Sequence, residues 1–193
     1  MTARVMLVAP AVGAELREAR FGNDGPLDDA GLRAARAVAD TRLAAAPCFV
    51  APSFRCRQTA EALGLASESA QELGDLDVGS WRGLRLDDIA VTDPAAVAAW
   101  LADPSAAPHG GESLTSLCAR VGSWLDERAR HDGRTVAVVE PAVIRSALVH
   151  ALALPPTAFW RLDVLPLTVT ELSGRNGRWN LRCGQPLTQN RPN

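Results

Sequence analysis

The run Thr135-Val136-Ala137-Val138-Val139 constrains the fold more than any other segment of this chain. Five consecutive apolar or β-branched residues are apolar on both faces of a strand. That pattern belongs to the middle of a parallel sheet with helices above and below. Asp132-Gly133 turns the chain into this run, and Pro141 follows at the favoured first position of a helix. That helix reads to about Leu152, with Ile144, Ala147, Leu148, Ala151 and Leu152 on its inward face.

The same strand-then-helix unit recurs along the chain. Val5 to Val8 reads as a strand ended by Pro10, and Asp28 caps a helix with Leu32, Ala35, Val38, Ala39 and Leu43 at helical spacing. Cys48 to Ala51 reads as another strand, followed by a helix that Ser53 caps and Gly64 stops. Ser113 opens a helix with Leu114, Leu117, Cys118, Val121, Trp124 and Leu125 on one face. Val164 to Leu172 and Arg178 to Arg182 read as two strands joined through Gly174-Arg175-Asn176-Gly177. Alternating strands and helices predict a three-layer α/β/α sandwich around a mostly parallel sheet. Residues 84–110, rich in Ala, Asp and Pro with a helix near Ala95 to Leu101, read as an insertion or lid over it.

Composition narrows the function. The 193 residues and 47% hydrophobic content predict one domain over 1–193 with one substantial core. A net charge of −2 lacks the positive field of a nucleic-acid binder, and no nucleic-acid partner is expected. No apolar run approaches the roughly 20 residues that span a bilayer, so no membrane partner is expected and a cytoplasmic location is. Val5 to Ala14 resembles the core of a signal peptide but is thinly charged upstream and broken by Pro10, so it reads as strand. Cys48, Cys56, Cys118 and Cys183 are widely spaced and read as reduced thiols. No His/Cys/Asp/Glu cluster has metal-ligand spacing and no nucleotide-binding glycine loop appears, so neither metal nor cofactor is expected.

Five segments in order carry a resemblance. They are Pro26-Leu27-Asp28-Asp29-Ala30-Gly31, Arg55-Cys56-Arg57-Gln58-Thr59-Ala60, Gly79-Ser80-Trp81-Arg82-Gly83, Gly111-Glu112-Ser113 and Val143-Ile144-Arg145. Together they resemble the histidine phosphatase superfamily, the phosphoglycerate-mutase-like fold. The resemblance implies a site at the carboxyl ends of the parallel strands. There a histidine after the first strand becomes phosphorylated, a second histidine and two arginines surround the phosphate, and a carboxylate ahead of G-x-W-x-G donates a proton.

The resemblance fails at its chemical centre. Ala9-Pro10-Ala11 stands where the first histidine motif belongs, and Glu140 where the second histidine belongs. Proline has neither an ionisable side chain nor a backbone N–H. His109, His131 and His150 fall at neither position, though His109 reads as close to the pocket mouth. The resemblance leaves Arg55 as a phosphate-binding arginine and Asp75 as the acid/base carboxylate, with Ala9, Pro10, Arg20 and Arg145 as further substrate contacts. Arg17, beside Arg20, carries less weight.

Two expectations follow. Like charges about 4 Å apart repel by roughly 4 kcal/mol at an effective dielectric near 20, so Glu140 predicts a neutral or cationic ligand in place of a phosphate dianion. Two converging carboxylates split their pKa values, so Glu140 reads as base and Asp75 as acid. The expected function is therefore a repurposed acid/base enzyme acting on a small metabolite. The alternatives are an inactive pseudophosphatase with a binding or regulatory role and, ranked last, a residual phosphatase. Glu140 as a helix cap, Asp75 as a partner of Arg55 or Arg57, and Arg145 as an ion-pair partner are the structural readings of the same residues. Phe159 and Trp160 fit either the core or a homodimer contact.

Overall fold

The computed structural model describes residues 2–22, 24–39, 41–175 and 177–186, with the backbone alone at 41, 42 and 183–186. The chain begins β1 (Ala3–Val8), α1 (Ala14–Arg17), α2 (Asp29–Ala37), α3 (Thr41–Ala44), β2 (Cys48–Val50), α4 (Phe54–Ala62) and β3 (Ser67–Ser69). It continues α5 (Leu86–Thr92), α6 (Pro94–Ala102), α7 (Leu114–Ala129), β4 (Gly133–Val138), α8 (Pro141–Ala151), β5 (Thr168–Arg175) and β6 (Arg178–Pro186).

Among the described residues the strands form one sheet in the order β3-β2-β4-β1-β5-β6. β3, β2, β4 and β1 run parallel, whereas β5 and β6 pair antiparallel at one side. The sheet is therefore mixed and mostly parallel, as the alternation predicts. Register places Leu7, Ala137 and Phe49 on one face, where Phe49 meets Trp124 of α7 edge-on at 5.9 Å. α7 packs on α8 there, and α2 packs on α4, which meets β2 and β4. The β4 residues Val136, Ala137 and Val138 are all buried, as a strand covered on both faces requires.

Local signals act where they are read. Asp28 and Ser53 accept from the Gly31 and Cys56 amides, and Ser113 accepts from Ser116. Four boundaries differ from the sequence reading. The helix expected to reach Leu43 closes at Ala37 through i→i−3 bonds at Val38 and Ala39, and Leu43 belongs to the separate α3. Residues 84–110 hold two helices, because Asp93 ends α5 and caps α6 with Pro94 at its first turn. The strand expected from Val164 starts at Thr168, since Pro166 cannot donate to a ladder and Leu167 is left-handed at φ 53°. The exposed strand β3, Ser-Glu-Ser, carries no apolar signal at all.

Val78, Trp81, Ile89, Val97 and Trp100 form a small second core under α5 and α6, which Leu76 and Trp160 join to the core around the sheet. Among the described residues no helix is long and apolar enough to cross a membrane.

Candidate active site

β1, β4 and β2 end level with one another, because Val8 pairs with Val138 and Val138 with Val50. Each ladder then runs one residue further, Val139 N donating to Val8 O at 3.0 Å and Ala51 N to Val138 O at 2.9 Å. Ala9-Pro10, Glu140 and Pro52-Ser53 thus leave the sheet side by side at its carboxyl end. Glu140 takes the N-cap position of α8 in extended conformation, but its side chain caps nothing. It turns to α4 instead.

There the carboxylate meets a prepared set of donors. Ser53 Oγ donates to Glu140 Oε1 at 2.8 Å, Arg55 Nε donates to the same oxygen at 3.3 Å, and Arg55 Nη2 donates to Oε2. The Cys56 thiol lies 3.5 Å from Oε1. Glu140 is 3% exposed. Burial opposes the charge on Arg55, but Glu140 outweighs it and holds the guanidinium pKa above its ordinary value. Burial, and then the Glu140 charge, push the Cys56 thiol well up, so it stays protonated and acts as a donor.

Asp75 reaches the same place from the far side of the sheet, after β3 and a 3-10 turn at Gln71–Leu73. Its carboxyl is pushed up to about 7, first by the protein packed around it and second by Glu140, against the Leu76 amide, Arg55 and Arg120. Asp75 is nonetheless exposed to the open cleft, and the water reaching it there weakens the desolvation, which leaves the Glu140 charge as the firmer cause of the upward shift. Asp75 pairs with neither Arg55 nor Arg57: Arg55 is taken by Glu140, and Arg57 donates to the Pro52 carbonyl and lies over Phe54.

A cleft of about 370 Å³ joins these groups. Glu140, Asp75, Arg55 and Ser53 line it, and Arg20, Arg82, Glu15 and Asp24 line the outer part. Arg20 is anchored across the mouth by donating to the Gly83 carbonyl at 3.0 Å, and Arg82 pairs with Asp77 at 2.7 Å. The other expected contacts lie elsewhere. Ala9 and Pro10 are buried behind the cleft and do not line it. Arg145 does not line the cleft; its guanidinium lies 5.5 Å from the centre of the Phe159 ring, and burial lowers its pKa against the opposing charges of Asp163 and Asp75. His109, expected near the mouth, is 2% exposed between Trp81 and Trp100, with Nδ1 accepting from the Gly111 amide. Aromatic packing around residues 78–100 draws it inward. His131 and His150 pair with Glu127 and Asp126 on the surface of α7.

Sequence reasoning read Ser53 only as a cap and passed over Arg82 and Arg120. Arg82 stood inside the Gly79 to Gly83 motif, and Glu112, the partner of Arg120, stood inside Gly111-Glu112-Ser113. Those two motifs lock together. Glu112 N donates to Asp77 O at 2.7 Å and Ser80 N to His109 O at 2.9 Å, and a Cβ on Gly111 would fall 2.0 Å from Asp77 O.

The model of the histidine phosphatase superfamily (branch 1) matches residues 13–184. The chain belongs to this superfamily. As a histidine phosphatase superfamily member it is 32% identical over 106 residues to phosphoserine phosphatase 1 of Hydrogenobacter thermophilus, covering 53% of this chain and 50% of that one. It is 28% identical over 151 residues to glucosyl-3-phosphoglycerate phosphatase of Mycolicibacterium vanbaalenii, covering 71% and 67%. A solved mycobacterial glucosyl-3-phosphoglycerate phosphatase complexed with VO3 superposes at a TM-score of 0.82 with 25% identity, over 97% of this chain and 100% of that one. The chain spans half the length of the first of these relatives.

These relatives overturn the expectation of a repurposed, non-phosphatase enzyme for a neutral or cationic metabolite, because their names are those of phosphate-ester hydrolases. The structure shows where the charge argument went astray. It counted Arg55 against two fully ionised carboxylates. Arg20 and Arg82 also line the cleft, offset by Glu15 and Asp24, so the lining as a whole has no positive excess; what the count missed is that Arg55 neutralises Glu140 directly and that Asp75 holds its proton to higher pH than an ordinary carboxylate.

Proposed function

We propose that this superfamily member hydrolyses small phosphomonoesters without a phosphohistidine. The observation that carries this reading is the meeting of Arg55, Glu140 and Asp75 in one cleft at the carboxyl ends of the parallel strands. The family match begins at residue 13, beyond Ala9-Pro10-Ala11, and none of the three histidines lines the cleft. In this reading Pro10 and Glu140 stand where the family keeps its imidazoles, and the nucleophile is water. Arg55 orients the phosphoryl oxygens, and Glu140 takes a proton from the attacking water as its oxygen bonds to phosphorus. Asp75, which holds its proton to higher pH than an ordinary carboxylate, gives it to the ester oxygen as the P–O bond breaks. The products are inorganic phosphate and an alcohol. Glu140 and Asp75 are thereby the catalytic residues, with Arg55 and Arg20 as substrate contacts.

A second reading, phosphate-ester binding without turnover, is favoured by one observation: Glu140 engages Arg55 through both carboxylate oxygens, so a phosphoryl group has to compete for that guanidinium. Phosphate release from p-nitrophenyl phosphate separates the two. Hydrolysis predicts steady release that falls by about 100-fold or more in Asp75→Asn and in Glu140→Gln, the range expected for loss of a general acid or base. Arg55→Met abolishes it. Sulfate, whose charge is constant across the working pH range, reports the cleft independently: it stabilises the parent thermally, and Arg55→Met loses that stabilisation. Stabilisation without phosphate release establishes the second reading, and neither effect sinks both.

A further inference from the structure

We propose that Arg120, on α7, is the positioning residue of Asp75; this deepens the function proposed above and rests on Asp75 acting as its proton donor. Arg120 places all five of its N–H groups on acceptors. Nε and Nη2 grip the two oxygens of Glu112 at 3.0 and 2.6 Å. Nη1 donates to the carbonyls of Glu72 and Gly74 at 2.8 and 2.9 Å, and Nη2 to the carbonyl of Asp75 itself at 3.3 Å. A planar guanidinium with five donors in a fixed fork saturates such a set, and a lysine ammonium, with three donors at one point, does not. Both side chains are largely enclosed, Arg120 at 26% and Glu112 at 17% exposure, so the pair is shielded from screening more than a surface bridge is.

Two consequences reach the cleft. The three carbonyls belong to the segment that ends in Asp75, so the fork sets where that carboxyl stands. It also sets its charge environment. Asp75 faces Glu140 from the start of α8, Arg55 and Cys56 from α4, Arg145 from α8 and Arg120 from α7. Arg120 is the one of these that also holds the Asp75 backbone. Glu112, fixed to Asp77 through its own amide, ties the fork to the Gly79 to Gly83 motif, so one guanidinium clamps the turn before Asp75 to Glu112 and, through it, to the stretch after Asp75.

The experiment follows the full-length protein by NMR in Arg120→Lys and Arg120→Met, with the Asp75 carboxyl resonance identified by its loss in Asp75→Asn. The amides of Leu73 and Gly74, which close the turn before Asp75, are the second readout. Both variants should exchange these amides about tenfold faster or more while β1 and β4 amides keep their protection, because the carbonyl clamp is lost in each. Arg120→Met should also raise the Asp75 titration midpoint, and Arg120→Lys, which retains the charge, should leave it lower than Arg120→Met does. Exchange within about twofold of the parent in both variants, or an unmoved Asp75 midpoint in Arg120→Met, overturns the proposal. Global unfolding of both variants overturns it too, since Arg120 would then be a residue of the whole fold. Turnover is not needed, so an absence of phosphate release would sink the proposed function and leave this result to stand on its own.

Discussion

Asp75 and Glu140 are chemically alike and are treated differently by the fold. Glu140 is enclosed, but Ser53, Arg55 and Cys56 supply donors to it. Asp75 has the Leu76 amide and a more distant Arg55 and Arg120, and it feels Glu140 as a like charge. Its raised pKa means that the folded chain holds the proton more tightly than the unfolded chain does. Ionising Asp75 therefore weighs against folding, increasingly as pH rises from its ordinary 3.8 through about 7, and costs nothing below that window. Asp75→Asn, which removes the charge and keeps the shape, should raise Tm near pH 8 and lose that advantage near pH 4, as a pair of melting series would show. An equal Tm difference at both pH values would mean that Asp75 is not perturbed by folding.

At the scale of elements, α4 and α8 begin beside each other, and one hydroxyl serves both. Ser53 caps α4 by accepting from the Cys56 amide at 3.3 Å and donates to Glu140 at the head of α8. Ser113 caps α7 in the same way, and among the described residues its hydroxyl bonds to Ser116 alone, through that residue's amide and hydroxyl. Loss of a cap costs about 1 kcal/mol, and a hydrogen bond to a charged group adds about 1.5 kcal/mol or more. Ser53→Ala should therefore destabilise the chain by about 2 to 3 kcal/mol in urea unfolding and Ser113→Ala by about 1 kcal/mol. Equal losses would show that the contact between Ser53 and Glu140 contributes nothing beyond the cap.

Across the whole molecule the two apolar clusters differ in depth. The core around the sheet draws on every layer, whereas the cluster beneath α5 and α6 rests on a few large rings and meets the main core through Leu76 and Trp160. Trp100 is its centre, in edge contact with Trp81 at 5.3 Å and Trp160 at 4.4 Å. Native-state hydrogen exchange should find α5 and α6 opening at lower free energy than β1 and β4. Trp100→Ala, removing a ring whose truncation costs about 3 to 5 kcal/mol, should lower that opening energy further and leave exchange in β4 unaltered. Equal effects on all four elements would mean that the clusters unfold as one. Leu76 follows Asp75 in sequence and lines the cleft, so the smaller cluster supports the site from below.

Much of this was legible in the residues themselves. The apolar run at Thr135 to Val139, the caps at Asp28, Ser53 and Ser113 and the order of the motifs specify strands, helix starts and family, because burial period and capping act within a few residues of where they are written. The convergence of Arg55, Asp75 and Glu140 was legible too, through the resemblance. Tertiary structure alone decided what those groups do to each other. Arg55 and Glu140 stand 85 positions apart, and their pairing depends on β1, β4 and β2 ending level. Arg120 finds backbone carbonyls, which every residue owns and no side-chain pattern reveals. His109 went to the tryptophans and Arg82 to the cleft through contacts of the same long-range kind, whereas Arg20 was read as a cleft residue from the resemblance. Charge is counted along a sequence, but its effect is set by distance, partners and water, and those exist only once the chain has folded.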